Sequence, residues 1–292
     1  MRLSELGELG LLRELERRGL ATRIENDAAQ LGDGLVVTQD TLVEGIHFRP
    51  DWTSWRDLGF KAAAVNLSDL AASGAQPEGL IVSLCMPGEA QLDVAIELYE
   101  GIAETGVPVL GGDTTESPLA LLTVTALGRS ERVPGRGGAR PGDSLVVTGP
   151  LGASAAGFMC LREGIESPLA AAHLRPPLRL AEGRRLASSA HALIDLSDGL
   201  ASDAARIAER SGCRLVIDLE RVPVADGVHE LADRLALDPW ELVAGFGEDY
   251  ELLAAAPDPD GFATIGRCEP GEGVELRLAG QPRALRGFEH FR

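Results

Sequence analysis

The chain has 292 residues, a length that suits two domains. With 45% hydrophobic and 25% charged residues, its composition is that of a folded protein rather than of a disordered chain. Its formal net charge of −18 argues against nucleic acid and anionic membranes as partners, because like charges repel. The sequence has neither a signal-peptide pattern nor an apolar run of about 18 residues, so we expect a cytoplasmic protein.

The first half alternates helix and strand patterns. It opens with an amphipathic helix pattern in MRLSELGELGLLRELERRG. Short apolar runs then predict strands and longer periodic runs predict helices. The predicted strands are Leu35–Thr38, Leu80–Cys85, Val107–Leu110 and Leu119–Ala126, and the predicted helices are Trp55–Ser73 and Ala90–Thr105.

A stretch rich in glycine and arginine, Val133–Gly142, interrupts this pattern and predicts a boundary between domains 1–134 and 135–292. The second half repeats the alternation. Its predicted elements are strands Ser144–Thr148, Ala192–Leu196, Arg214–Leu219 and Tyr250–Ala255, helices Ala153–Met159 and Leu200–Glu209, and short carboxyl-terminal strands. We therefore expect an α/β protein of the α+β type, with two domains and a cleft between them.

Aspartates are concentrated in loops and at the predicted ends of strands, where α/β folds place their ligand-binding groups. The set is Asp27 in a loop, Asp40 at the end of one strand, Asp69 on a helix, Asp113 after a second strand, and Asp195 with Asp198 at the end of a third. Any one of them could be a helix cap or a turn residue. Together they predict a cleft that binds two or more Mg²⁺ ions with ATP, because Mg²⁺ prefers hard oxygen ligands and bridges to phosphates.

Other phosphate-binding and catalytic motifs are missing. The sequence has no GxxxxGK[ST] loop, no kinase-type HRD or DFG set and no evident Ser/His/Asp order. The turn Gly149–Gly152 before a predicted helix could hold a phosphate at the helix N-terminus, although such turns are common. The four cysteines are scattered, without metal-ligand spacing, so we expect buried thiols.

Twelve short motifs, in order from residue 5 to residue 291, resemble those of the thiamine-monophosphate kinase family. They include NDAA, TQDTLVEGIHF, NLSDLAASGA, GGDTTES, GRGGARPGD, VTGPLGASAAG, IDLSDGLASD, GEDYELL and GFEHF. That family is related to aminoimidazole ribonucleotide synthetase and selenophosphate synthetase. The resemblance implies an N-terminal domain that dimerises by pairing sheets, a C-terminal α/β domain, and an ATP and Mg²⁺ site in the cleft. It also implies transfer of the ATP γ-phosphoryl group to thiamine monophosphate.

The resemblance also implies a role for individual residues. The implied metal ligands are Asp27, Thr38, Gln39, Asp40, Asp69, Asp113, Asp195 and Asp198. The implied nucleotide contacts are Tyr99, Gly112, Asp113, Arg136 and Ser197. The implied substrate contacts are His47, Glu248, Phe288 and Phe291. The implied catalytic residues are Asp69, Arg136 and Asp198. The implied partners are ATP, thiamine monophosphate, several Mg²⁺ ions and a second copy of the chain, and a need for a monovalent cation is left open.

The chain departs from the family pattern at three places. Asn26 stands where the family usually has the first aspartate of GDDAA, Gln39 replaces a small hydroxyl residue, and Phe246 replaces the first glycine of GGEDYEL. Because most metal aspartates are retained, we expect an active enzyme. Two alternatives stay open at this point: an ATP-dependent ligase like aminoimidazole ribonucleotide synthetase, and a non-catalytic nucleotide-binding homologue.

Overall fold

An antiparallel sheet with one parallel edge forms the first half of the chain in the computed structural model, which describes residues 2–22 and 24–288. Its strands are β1 (Ala29–Gln30), β2 (Leu35–Val43), β3 (Gln76–Met86), β4 (Val109–Glu116) and β5 (Leu121–Arg129). They lie in the order β1-β2-β5-β3-β4, and only β3 and β4 pair in parallel. Since β4 is the last strand of this order, it leaves one edge of the sheet unpaired in the described chain.

Three helices belong to the first half of the chain: α1 (Leu3–Arg17), α2 (Trp55–Ala72) and α3 (Leu92–Ala103). The side chain of Ser54 accepts a hydrogen bond from the Asp57 N–H group and caps the start of α2. Alternate strand residues such as Val82 and Val124 are buried against α2. The opposite face carries exposed or half-exposed side chains such as Ile81, so helices cover only one face of the sheet.

A seven-stranded mixed sheet forms the second half, in the order β12-β11-β8-β10-β6-β9-β7. Its strands are β6 (Ser144–Val147), β7 (Ala192–Asp195), β8 (Arg214–Asp218), β9 (Leu252–Ala256), β10 (Ala263–Glu269), β11 (Gly273–Leu278) and β12 (Gln281–Arg283). Its helices are α4 (Ala153–Glu163), α5 (Leu169–Leu174), α6 (Leu180–Ala187), α7 (Leu200–Ser211) and α8 (Val228–Leu235). A π-helical turn, Glu241–Gly245, precedes β9.

The end of α2 joins the two halves. Ala71 and Ala72 belong to one buried cluster with Leu186 of α6 and Leu193 of β7. The two helices approach so closely that a β-carbon at Gly183 would lie 2.2 Å from the Ala71 carbonyl oxygen. This packing fixes the last turns of α2, which carry one predicted metal ligand, beside the end of β7.

The predicted α/β class with two sheets is confirmed, and two predicted strand ends are wrong. Asp40 does not end its strand, because β2 continues to Val43, and Asp113 lies inside β4 rather than after it. Asp113 lies on the sheet face that is open to solvent, where a strand can continue through polar residues. The boundary between residues 134 and 135 falls in the segment that links the sheets and stays a prediction. In the described part of the chain, no helix combines the length and hydrophobicity needed to cross a membrane.

Candidate active site

Three aspartates from separate elements meet where the two halves join. Asp69 lies near the end of α2, Asp195 is the last residue of β7, and Asp27 lies in the loop before β1. Carboxylate oxygens of all three lie within 4.8 Å of one another. The Ser68 hydroxyl donates to Oδ2 of Asp195 (2.8 Å), and the Thr38 hydroxyl donates to Asp69. The structure therefore brings these three predicted ligands, with Thr38, into one cluster.

Asp40 and Asp198 lie next to this cluster. The Asp40 N–H group donates to Oδ1 of Asn66 on α2 (3.0 Å), which ties β2 to the helix that carries Asp69. The Asp40 side chain keeps contact with solvent, although protein atoms surround it on most sides. Loss of bulk water there, followed by repulsion from Asp198 and Asp27, raises the pKa of Asp40 to about 6.

The carboxylates of the cluster repel one another, and the positive groups of the protein do not fully neutralise their charge. Burial raises the pKa of Asp69 well above its usual range, and repulsion from Asp40 and Asp195 adds to this effect. Burial, followed by repulsion from Asp27, also raises the pKa of Asp195 well above its usual range. A bound cation would relieve this repulsion. The potential ligands in the cluster are carboxylate and hydroxyl oxygens. Mg²⁺ prefers such hard oxygen ligands, whereas softer metals prefer nitrogen or sulfur.

Two arginines lie against the cluster. Nη2 of Arg136 donates to Oδ1 of Asp27 (2.6 Å), and the Arg136 N–H group donates to Oδ1 of Asn26 (2.9 Å). Asn26 therefore anchors the loop that carries Arg136, which gives this departure from the family pattern a structural role. Arg206 of α7, which the sequence analysis did not identify, forms a salt bridge with Asp198.

The turn that carries Ser197 and Asp198 is held by a buried aspartate that the sequence analysis missed. Oδ2 of Asp203 accepts hydrogen bonds from the N–H groups of Asp198 (3.1 Å) and Gly199 (3.0 Å). Burial raises the pKa of Asp203 to about 8, although the charge of Arg206 opposes the rise. An acidic residue in the first turn of α7 is the signal that could have identified it.

The predicted substrate contacts lie on another side of the same cleft. Nδ1 of His47 accepts a hydrogen bond from the Val43 N–H group (3.1 Å), and His47 lies near enough to Glu248 to interact with it electrostatically. Glu248 in turn forms a salt bridge with the buried Lys61 (3.1 Å), a residue that the sequence analysis did not select. The Phe288 N–H group donates to the Asp198 carbonyl oxygen (2.9 Å), so the backbone of Phe288 lies beside the cluster.

One predicted substrate residue, Phe291, lies outside the described residues. The ring of Phe288 is 52% exposed. Phe246, the third departure from the family pattern, has an ordinary helical φ of −84° and therefore does not need glycine. Gly247 does need to be glycine, because its φ is +93° and a β-carbon there would lie 2.4 Å from the Ser197 carbonyl oxygen.

Four predicted site residues are not part of the cluster within one chain. Gln39 points to the open face of the sheet, where its side chain accepts a hydrogen bond from the Thr125 hydroxyl (2.9 Å). Tyr99 packs on α3 against the core of the first half, and Gly112 and Asp113 lie on the edge strand β4. Two strands separate β4 from β2, so three interstrand spacings of about 4.8 Å put Asp113 about 14 Å from β2.

The turn before α4, which the sequence left open as a possible phosphate site, binds an acidic side chain of the same chain instead. Both oxygens of the buried Asp249 carboxylate accept hydrogen bonds there, from the N–H groups of Gly152 (2.8 Å) and Ser154 (3.1 Å). Burial raises the pKa of Asp249 to about 7, although these bonds oppose the rise. The helix N-terminus is thus already capped by an acidic side chain of the same chain.

Comparison with known proteins gives one consistent result. Residues 25–130 match the family described as AIR synthase related protein, N-terminal domain, and residues 140–278 match its C-terminal domain. The thiamine-monophosphate kinase of Aquifex aeolicus is 34% identical over 309 residues, covering 100% of both chains. That of Mycobacterium tuberculosis is 39% identical over 311 residues, covering 99% of this chain and 93% of the relative.

The fold agrees with these relatives. The solved structure of AaThiL complexed with AMPPCP and TMP superposes with a TM-score of 0.92 at 34% identity, and 99% of each chain is covered. The hydrogenase maturation protein HypE in complex with ATP, with a TM-score of 0.73 at 22% identity, shares the fold alone. On the strength of both the sequence and the fold, this chain belongs to the thiamine-monophosphate kinase family.

Proposed function

We propose that this protein transfers the γ-phosphoryl group of ATP to the phosphate of thiamine monophosphate and forms thiamine diphosphate. The main support is the similarity along 99% of the chain to a structure that holds AMPPCP and TMP, together with the aspartate cluster. A cytoplasmic location and a need for a monovalent cation stay predictions.

The charges of the cluster suit phosphoryl transfer. We assign Mg²⁺ binding to Asp27, Asp40, Asp69, Asp195 and Asp198, with the Thr38 hydroxyl beside them. Bound Mg²⁺ would supply neutralisation of the negative charge on the phosphates. Arg136 offers a guanidinium fork to non-bridging phosphate oxygens, and Ser197 offers polar groups on the turn before α7.

The acceptor in this reaction is already an anionic phosphate, so the protein has little proton transfer to perform. Its contribution is to hold the two phosphates in line and close together. We assign the organic part of the acceptor to His47, Glu248 and the aromatic carboxyl-terminal segment that contains Phe288. A carboxylate and aromatic rings are the groups that favour a cationic ring.

We also propose that the active form is a homodimer built through the open face and free edge of the first sheet. All eight residues of β4 are exposed, including Val109 and Leu110. Asp113 lies directly opposite Ser83 on the open face, and Gln39 lies on that face too. Because Asp113 lies about 14 Å from β2 in its own chain, it can act as a ligand only at the site of a second copy.

A phosphate-acceptor assay with ATP and Mg²⁺ tests the reaction directly. We expect thiamine monophosphate to be converted into thiamine diphosphate with one ADP formed for each product molecule. A simple alkyl phosphate should be a poor acceptor although its phosphate has the same chemistry. Turnover of an aminoimidazole precursor without turnover of thiamine monophosphate would favour the ligase alternative. ATP binding without any turnover would favour the non-catalytic homologue.

A further inference from the structure

Lys61, the only lysine in the sequence, is buried in the middle of α2. The residue is 2% exposed, and its helix neighbours Ala62 and Ala63 are buried as well. An ammonium group is unfavourable in such surroundings unless an opposite charge lies against it. Oε2 of Glu248, at 3.1 Å from Nζ of Lys61, supplies that charge from the second half of the chain.

The same carboxylate oxygen has a second partner. Nδ1 of His173 lies 3.2 Å from Oε2 of Glu248 and 3.1 Å from the hydroxyl oxygen of Ser154. Burial, followed by the charge of Lys61, lowers the pKa of His173 to about 4. The His173 ring is therefore neutral at neutral pH, and Lys61 alone supplies the positive charge of this group.

The backbone at Glu248 is strained as well. Its φ is +58°, a left-handed conformation that residues other than glycine rarely adopt. Tyr250, two residues further along the chain, has a φ of +50°. The Glu248 N–H group donates to the Ser197 carbonyl oxygen (2.8 Å), which ties this strained loop to the turn of the aspartate cluster. A residue held this firmly in an unfavourable conformation is typical of binding and catalytic sites.

In the described part of the chain, the contacts of the Glu248 carboxylate involve Oε2 and leave Oε1 for a ligand. No further hydrogen bond of its side chain is found among residues 2–22 and 24–288, and the side chain is 24% exposed. The charges of Glu248, Asp40 and Asp69 all act on the Tyr250 hydroxyl, so Glu248 lies near the aspartate cluster. The Oε1 atom thus has no partner among the described residues, while Oε2 is held by Lys61 and His173.

We propose that Lys61, assisted by His173, is a positioning residue that fixes the Glu248 carboxylate against the cationic ring system of the acceptor. This inference rests on the proposed function and deepens it. Lys61 does not touch the acceptor; it sets the direction of the carboxylate that does. It thereby favours acceptors whose phosphate is attached to an aromatic cation over plain alkyl phosphates.

Steady-state kinetics of the full-length Lys61→Met variant test this inference. Methionine keeps an unbranched apolar side chain, one heavy atom shorter than lysine, and removes the charge. We expect KM for thiamine monophosphate to rise by about tenfold to a hundredfold, the usual effect of losing a hydrogen bond to a charged group, while KM for ATP stays within about twofold. Lys61→Arg should restore part of the affinity. Arg267→Met, which removes an exposed arginine far from this group, serves as the matched control.

A double-mutant cycle separates positioning from a structural role. If Lys61 acts through Glu248, then Lys61→Met should add little to the KM of Glu248→Gln. The variant should also discriminate less between thiamine monophosphate and an alkyl phosphate. Additive effects, or equal losses toward both acceptors and ATP, would overturn the inference. If Lys61→Met does not fold, His173→Gln is tested instead, and we expect the same rise in KM for thiamine monophosphate. Wild-type protein that fails to phosphorylate thiamine monophosphate would instead refute the proposed function.

Discussion

Asp69 illustrates how one residue can be central to the site and unfavourable for the fold. Its carboxylate is buried among other carboxylates, so its ionised form is stabilised mainly by whatever cation the cluster holds. The Thr38 hydroxyl donates to it, and this is the main compensation that the described protein provides. The side chain is therefore selected for ligand binding rather than for stability.

Asp69→Asn should lower kcat by more than tenfold, a loss of about 1.4 kcal/mol or more in transition-state stabilisation. In metal-free buffer the same variant should have a higher thermal midpoint than the wild type, because a buried repulsive charge is removed. Activity assays and thermal unfolding with a chelator measure the two effects. More than a tenth of the wild-type kcat, or a lower midpoint, would contradict the assignment of Asp69 as a central ligand.

Arg179 has the opposite character, because it serves the fold and not the site. Its guanidinium donates two hydrogen bonds to the buried Glu251 (2.6 and 2.7 Å), and Glu251 also accepts a hydrogen bond from the Thr148 hydroxyl (2.5 Å). Arg179→Met should lower the free energy of unfolding by about 3 kcal/mol, because it leaves a buried carboxylate without its counter-charge. Denaturant unfolding measures this loss. Arg185→Met, whose side chain is exposed, is the control and should change stability by less than about 1 kcal/mol.

At the scale of elements, the position of α2 decides where the site forms. The helix packs tightly on α3 because two glycines allow their backbones to touch: a β-carbon at Gly59 would lie 1.9 Å from the Leu98 carbonyl oxygen, and one at Gly101 would lie 1.9 Å from that of Arg56. On its other side, the end of α2 packs against α6 and the second sheet. Both contacts fix the helix that carries Lys61 and Asp69.

Gly101→Ala should therefore destabilise the protein by about 2 kcal/mol, since overpacking of this size forces the helices apart. Mg²⁺-dependent activity should fall with it, because displacement of α2 moves Asp69 away from Asp195. Gly32→Ala is the control, because nothing lies within 4 Å of the β-carbon that it adds. Equal thermal midpoints for the two variants would show that α2 and α3 tolerate separation.

The elements also show what the sequence could and could not predict. Hydrophobic periodicity predicted most strands and the long helices, but it missed α5, α6 and α8, which are 6 to 8 residues long and offer few periodic positions. The aspartate cluster followed from the motifs. The pair Lys61 and Glu248 did not, because the two residues are 187 positions apart and only the packing of the two halves brings them together.

At the scale of the whole molecule, the aspartate cluster makes the stability of the protein depend on pH. The raised pKa values of Asp40, Asp69 and Asp195 mean that the folded protein binds protons more tightly than the unfolded chain. For such groups, stability is present at low pH and is lost as the pH rises through the folded-state pKa. Mg²⁺ competes with those protons for the same oxygens.

In metal-free buffer the thermal midpoint should therefore fall as the pH is raised from about 6 to about 8. Saturating Mg²⁺ should reverse this fall, and the affinity for Mg²⁺ should increase over the same range. Thermal unfolding with a chelator or with Mg²⁺, and calorimetric Mg²⁺ titrations at each pH, measure both trends. A midpoint that rises with pH in the chelator would show that the cluster is not repulsive in the folded protein.

The assembly of two chains gives the last prediction. Asp69 and Asp113 are both expected metal ligands, yet one lies in the cluster and the other on the edge strand β4. If each site combines the cluster of one copy with Asp113 of the other, then Asp69→Asn and Asp113→Asn each inactivate both sites of a variant homodimer. In a mixed dimer, one site carries both substitutions and the other carries none.

Equal amounts of the two inactive variants, unfolded together and refolded, should therefore recover about a quarter of the wild-type activity, because half of the dimers are mixed and each has one intact site. Either variant refolded alone should stay inactive, and sedimentation should give twice the mass of one chain for all samples. Full activity of Asp113→Asn by itself would remove Asp113 from the site. Inactive mixtures of stable dimers would mean that both aspartates serve the same chain, which the spacing of about 14 Å between β4 and β2 argues against.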